Sequence, residues 1–228
     1  MKSLPQKLRI FRATLLALCL ATTSLGARAD DATTCAQVLR NVERVRDKGV
    51  LLGCMDFYFS NQDLDPQPGS FNAVVRLGYR VLELDPSEVE TYGNVSWLLW
   101  SKWVSWKEDP ARMPDGQNKL AEAVALLDRG ETFNSQSVEY FIEAANTLWP
   151  VAEYHDASLY ARVIRWYRSA NEGLATSDPR KIRTLLNLGH IHRKLGLKPD
   201  ARRYYEAVLE IDPDNAVALR SLKSLDPS

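Results

Sequence analysis

The sequence predicts an all-α protein, a short right-handed solenoid of helix-turn-helix units with about three to four irregular repeats and capping helices at its ends. Three observations carry this. Val81-Leu82-Glu83-Leu84-Asp85-Pro86 and Val208-Leu209-Glu210-Ile211-Asp212-Pro213 agree at five of six positions, and each closes a stretch with helical apolar spacing. A large, large, small, large order recurs in the helices that open the units: Tyr92, Val95, Ser96, Leu99; then Phe141, Ala144, Ala145, Leu148; then Leu185, Leu188, Gly189, His192. Between these stretches the chain is broken by clusters of Pro, Gly and Asp.

Residues 1–29 read as an export signal that is removed from a mature domain spanning 30–228. Lys2, Lys7, Arg9 and Arg12 form a basic head, Ala13 to Gly26 is apolar but short for a bilayer span, and Ala27-Arg28-Ala29 fits a small-x-small cleavage site. An uncleaved anchor is the rival, but no stop-transfer pattern follows. A lipid site at Cys19 is disfavoured by bulky Leu18. Removing five basic residues (Lys2, Lys7, Arg9, Arg12, Arg28) from 29 Lys+Arg leaves 24 against 29 Asp+Glu, a formal −5. This mild acidity argues against nucleic acid as a partner.

Cys35 and Cys54 then remain as an even pair in an oxidising compartment, which predicts one disulfide. Their register opposes it. A helix through Cys35, Val38, Val42 and Val45 to a turn at Lys48-Gly49, followed by a return through Cys54, leaves the pair roughly 12 Å apart. The bridge then requires Cys35 to fold back before the helix begins. Next come helices at Val50 to Phe59 and Phe71 to Leu84, joined by a loop with two prolines and a glycine from Asn61 to Ser70. Further units start at Val89, Val138 and Ile182. Their second helices are Lys119 to Asp128, after a polar loop from Lys107 to Gln117, and Ala157 to Tyr167. Asn215 to Leu225 is a terminal helix, with Ala216, Leu219 and Leu222 on its inner side and Arg220 and Lys223 outside.

The last unit is the most regular. Asp178-Pro179 starts a helix, Gly196 to Pro199 breaks it, and Ala201, Tyr205 and Val208 mark the face of a second helix that ends at Pro213. Ile182 to Pro213 resembles the tetratricopeptide repeat family, whose helix-turn-helix unit of about 34 residues has this order of small, aromatic and closing Pro positions. Val208 departs from it, standing where that family prefers Ala. The resemblance implies a solenoid whose first helices line a concave groove for a peptide or a partner helix.

Catalysis is not expected. The chain has three His; His190 and His192 lie about 200° apart on a helix, unable to share a metal. His192 occupies a core slot, and His155 beside Asp156 reads as a local cap. CxxC, HExxH, GxSxG and phosphate-loop patterns are absent from the sequence, so no cofactor or metal is predicted. Asn94-Val95-Ser96 is a formal glycosylation sequon inside a predicted helix.

The groove can be placed by angle. Taking the first large residue of each opening helix as zero, residues five and eight later fall near about 140° and 80°, off the core stripe. These are Trp97 and Trp100, Asn146 and Trp149, and His190 and Arg193. Gly93, Ile142 and Leu186 lie between, with Glu90, Glu139 and Arg183 at one edge. Arg183, His190, Arg193 and Lys194 form a basic cluster suited to a partner's carboxylates. Four of six tryptophans fall in Trp97, Trp100, Trp103 and Trp106. Trp103 and Trp106 fall on the core stripe if the helix continues toward Asp109-Pro110. Trp97 and Trp100 point off it, toward a partner or under the Lys107 to Gln117 loop. The expected function is an exported protein-interaction adaptor, periplasmic or secreted; the alternative is a cell-envelope protein that stacks sugars on Trp97, Trp100 and Trp149.

Overall fold

The computed structural model describes residues 32–66, 71–105 and 116–225, so the expected signal segment and Trp106 lie outside it. Apart from three single-turn 3-10 segments, its regular elements are α-helices: α1 (Ala32–Arg40), α2 (Lys48–Ser60), α3 (Asn72–Leu84), α4 (Val89–Ser105), α5 (Gly116–Phe133), α6 (Val138–Tyr154), α7 (Tyr160–Gly173), α8 (Pro179–Lys194), α9 (Lys198–Ile211) and α10 (Ala216–Leu225). They pack as consecutive pairs, α2 on α3, α4 on α5, α6 on α7 and α8 on α9; α1 leans on α2 at one end and α10 on α9 at the other. The predicted all-α repeat architecture is the one observed.

The helices begin where short polar side chains satisfy free amides. Asp47 accepts from Val50 N, Ser137 from Tyr140 N, and Asp178 from Arg180 N with Pro179 following. The first turn of α3 is served from a distance, by the buried Asp65 carboxylate accepting from Ala73 N at 2.9 Å. Gly196, at φ 74°, supplies the left-handed residue that turns α8 into α9.

Small residues decide how closely the pairs pack. Gly189 is buried against the ring of Tyr205, and a Cβ placed on it would lie 2.5 Å from Tyr205 Cε1. In α4 the equivalent slot is Ser96, fully buried, whose hydroxyl donates to the Ala123 carbonyl at 3.3 Å. The apolar interior runs in two parts. One gathers Cys35, Leu39, Leu51, Cys54, Leu77 and Leu98; the other extends from Leu82 and Tyr92 through Leu148 and Trp166 to Val208 and Leu225.

The structure corrects three expectations. Helix α1 ends at Arg40 and does not continue to Lys48. Val42–Arg44 is a single 3-10 turn and Val45 is extended, because the Val45 carbonyl is drawn to Arg80, which donates to it from Nε at 3.2 Å and Nη2 at 3.1 Å. The shortened helix removes the register objection: Cys35 and Cys54 are bonded, with Cα atoms 5.3 Å apart. On α10 the buried residues are Ala218, Ser221 and Leu225; Ala216 and Leu219 are exposed and Leu222 is half-buried. That stripe is the one α9 and α8 select, and it is rotated from the one read off the apolar spacing. Third, α5 extends five residues beyond Asp128, to Phe133.

Peptide mass mapping without reductant is expected to recover a fragment linking Cys35 to Cys54, and Cys54→Ser is expected to cost about 3 kcal/mol for a loop of this length. Free thiols on both residues would disprove the bond. Gly189→Ala is expected to lower thermal stability by about 1–3 kcal/mol, since overpacking against the enclosed Tyr205 ring outweighs the gain in helix propensity; an unchanged or raised melting temperature would show that this close approach is not required.

Candidate functional site

Helices α6 and α8 lie side by side, tied near their starts by Arg180 to Glu139 (2.9 Å) and near their ends by Lys194 to Glu153. Such partly exposed pairs contribute at most about 1 kcal/mol each, so they mark the alignment more than they enforce it. In the lane between the two helices the Tyr167 hydroxyl joins Asn146 of α6 to Asn187 of α8, with Trp149 of α6 against the Tyr167 ring; Ile142 and Glu143 lie on α6 and Arg183, Leu186 and His190 on α8.

Tyr167 of α7 reaches the lane from the core. Its hydroxyl donates to Asn146 Oδ1 at 2.7 Å and also bonds Asn187, while its ring meets Trp149 edge-on at 6.0 Å. Burial pushes the Tyr167 phenol far above its ordinary range, so it remains a donor at every physiological pH. His190 Nδ1 is 2.8 Å from the Tyr205 hydroxyl; burial, helped by the charge of Arg193, lowers its pKa and favours the neutral ring near pH 7. Pro150 inside α6 has no N–H to give to the Asn146 carbonyl one turn earlier.

Glu143 is the residue that the sequence reading missed. Its side chain lies over Gly93 of α4, where an added Cβ would come within 2.1 Å of Oε1. Burial raises its pKa, the Glu90 carboxylate raises it further, and a hydrogen bond with Thr147 opposes the shift. The signal was present, because Glu143 follows Phe141 by two positions, as Asn94 follows Tyr92 and Asn187 follows Leu185. A polar residue thus recurs at one slot of all three opening helices.

The other predicted residues divide. Ile142, Leu186 and Trp149 are half-buried and pack against the core. Arg183 and Arg193 are exposed, and Arg193 Nη1 approaches Ser224 Oγ at 3.4 Å. Lys194 is held by Glu153 and sits 5.5 Å over the Tyr154 ring, so its charge is already matched. The basic cluster therefore reduces to Arg183 and Arg193 at neutral pH. His192 is a buried core ring, its Nδ1 2.8 Å from the Leu188 carbonyl.

Trp100 is a correction. It is 7 % exposed and belongs to the core. The wheel assumed one buried stripe, but α4 is packed by α3, α5 and α6, which bury more of its circumference. Trp97 is half-buried between Phe59 and Trp100, at 6.5 Å from each ring, and Phe59 meets Phe71 at 5.8 Å. Neither ring forms a free stacking platform. The ring of Trp103 lies outside the described side chains. Among the described residues no group of three His, Cys, Asp or Glu could hold a metal, and no helix is long and apolar enough to cross a membrane.

The Glu143 carboxyl keeps its proton to a higher pH in the folded chain than in the unfolded one, where its value is near the ordinary 4.5. Its contribution to stability is therefore present below that value and is lost as pH rises through the folded pKa. Glu143→Gln is expected to flatten the melting temperature between about pH 4 and pH 7 and to be at least as stable as the native chain at neutral pH. A loss of stability at neutral pH would show that the ionised carboxylate has a favourable partner.

No curated protein matches the chain in sequence. A family model described as Tetratricopeptide repeat matches residues 182–215, which cover most of α8, all of α9 and the turn into α10. The hairpin with Gly189 packed on Tyr205 lies within the matched residues and is a tetratricopeptide repeat unit.

Proposed function

We propose that the protein is an exported adaptor that binds a peptide or protein segment along the α6–α8 lane. The observation that carries this reading is the convergence, between α6 and α8, of Asn146, Trp149 and Asn187 around the Tyr167 hydroxyl and ring, with His190 farther along α8 on the Tyr205 hydroxyl. Side-chain amides and a neutral imidazole in such a lane suit the backbone of an extended segment. Ile142 and Leu186 offer apolar contact, and Arg183 and Arg193 offer charge-assisted bonds at the rim. A tetratricopeptide repeat, which suggests protein partners, supports the same class of function.

Export is supported by the leader pattern of residues 1–29 and by the Cys35–Cys54 bond, which fits a periplasmic or secreted location. The sugar-stacking alternative loses ground because Trp100 is enclosed and the Trp97 ring is flanked on both sides. Adaptor binding requires no catalytic group, cofactor or metal.

Arg183→Glu is expected to weaken capture of the native partner from the envelope about tenfold, with an unchanged melting temperature, because the side chain is exposed and removal of a charge-assisted bond costs on the order of 1.5 kcal/mol. Capture that is indifferent to this reversal, and equally indifferent to Asn187→Ala, would sink the lane as the binding surface.

A further inference from the structure

Between α4 and α6 a side chain of one helix takes the place of a missing side chain on the other. Gly93 of α4 is buried, and the space where its side chain would stand is filled by Glu143, whose Cγ and Cδ lie 2.7 and 2.8 Å from the position of an added Cβ. The carboxyl group thus rests against the α4 backbone, a place that suits a neutral acid better than a carboxylate. Thr147, one turn along α6, is its hydrogen-bond partner, and Glu90 of α4 supplies a like charge.

Nothing nearby offsets that charge. Among the described residues neither Glu143 nor Glu90 has a Lys or Arg within ion-pair distance, whereas the carboxylates around them are matched. Glu139 and Glu153 of α6 pair with Arg180 and Lys194 of α8. Asp128 and Glu131 of α5 pair with Arg162 and Arg165 of α7. Arg183 of α8 and Glu143 both act on Tyr167 of α7, but burial keeps the proton on that phenol, and the guanidinium makes no ion pair with Glu143. Glu143 is half-buried, so rotation about its own side-chain torsions is enough to bring its carboxyl group into water.

We propose that Glu143 is a pH-operated cover over Gly93: as a neutral acid it lies on the α4 backbone and fills that part of the groove, and once ionised it swings out to water and leaves the backbone open. The direction follows from linkage. The covered state binds the proton more tightly than the open one, because burial first and Glu90 second raise the pKa of the covered carboxyl, with Thr147 opposing. Covering is therefore favoured at low pH and is lost as pH rises through that raised value. The cover operates whether or not a segment lies in the α6–α8 lane, so failure of either reading leaves the other standing.

The test is an NMR titration of the full chain over about pH 4 to 8, following the Glu143 carboxyl carbon and the Gly93 amide together. Expected is one shared midpoint above the ordinary carboxylate range. Gly93→Ala, whose methyl group takes the space, is expected to expel the carboxyl and return its midpoint to that range. Glu90→Gln is expected to move the midpoint down by removing the like charge, and Thr147→Val to move it up by removing the bond that favours the ionised form. In Glu143→Gln the Gly93 signal is expected to lose its pH dependence. A Gly93 signal that ignores the Glu143 titration, or a native midpoint within the ordinary range, would overturn the cover. So would a midpoint unmoved by Gly93→Ala; if that variant does not fold, the opposite shifts in Glu90→Gln and Thr147→Val decide alone.

Discussion

Everything in this fold depends on small residues that let a large side chain of the neighbouring helix approach the backbone. Gly189 receives the ring of Tyr205, and Gly78 of α3 receives Val95, whose Cγ2 lies 2.3 Å from where a Cβ would be. Ser96, Ala144 and Ala145 are fully buried at the corresponding seams. Closely packed pairs present matching faces to the next pair, which is what allows stacking to continue along the chain. Without these small slots the rings of Tyr205, Tyr140 and Tyr92, which are almost wholly buried, would have no space.

The same packing creates the polar lane. The Tyr167 hydroxyl from α7 orients Asn146 of α6 and Asn187 of α8, and the Tyr205 hydroxyl from α9 orients His190 of α8 and Ser221 of α10. Buried polar groups carry high stakes, because each must be satisfied or else costs stability. Here the tyrosine hydroxyls are satisfied by side chains that also line the lane, so folding and the positioning of the candidate contacts are one process. Glu143 is the exception. Enclosed beside Gly93 with a like charge from Glu90 nearby, it is held as a reluctant acid.

The ends of the chain are treated differently. At the N-terminal end a covalent bond between Cys35 and Cys54 fixes α1, a helix of nine residues, against α2. Such a short helix is marginal by itself, and the cross-link removes much of its freedom in the unfolded state. At the C-terminal end α10 is held by Ala218, Ser221 and Leu225 and leaves Val217 and Leu219 exposed beside two arginines.

By itself the sequence determined the helical class, the order of the elements and the regular last repeat, because apolar spacing, Asp-Pro stops and Gly-Pro breaks act within a few residues of one another. It also placed Asn146, Trp149, Arg183 and His190 off the core stripe of their helices, since a helix wheel is set by local geometry. Tertiary structure alone decided the rest. Trp100 is buried because α4 has three helical neighbours rather than one. The path of the chain after α1 is fixed by Arg80, which lies on α3 and donates to the carbonyl of the extended Val45. Glu143 matters because Gly93, fifty residues away in the chain, leaves it room. In each case the deciding partner is distant in sequence, and no periodicity along a single helix can report it.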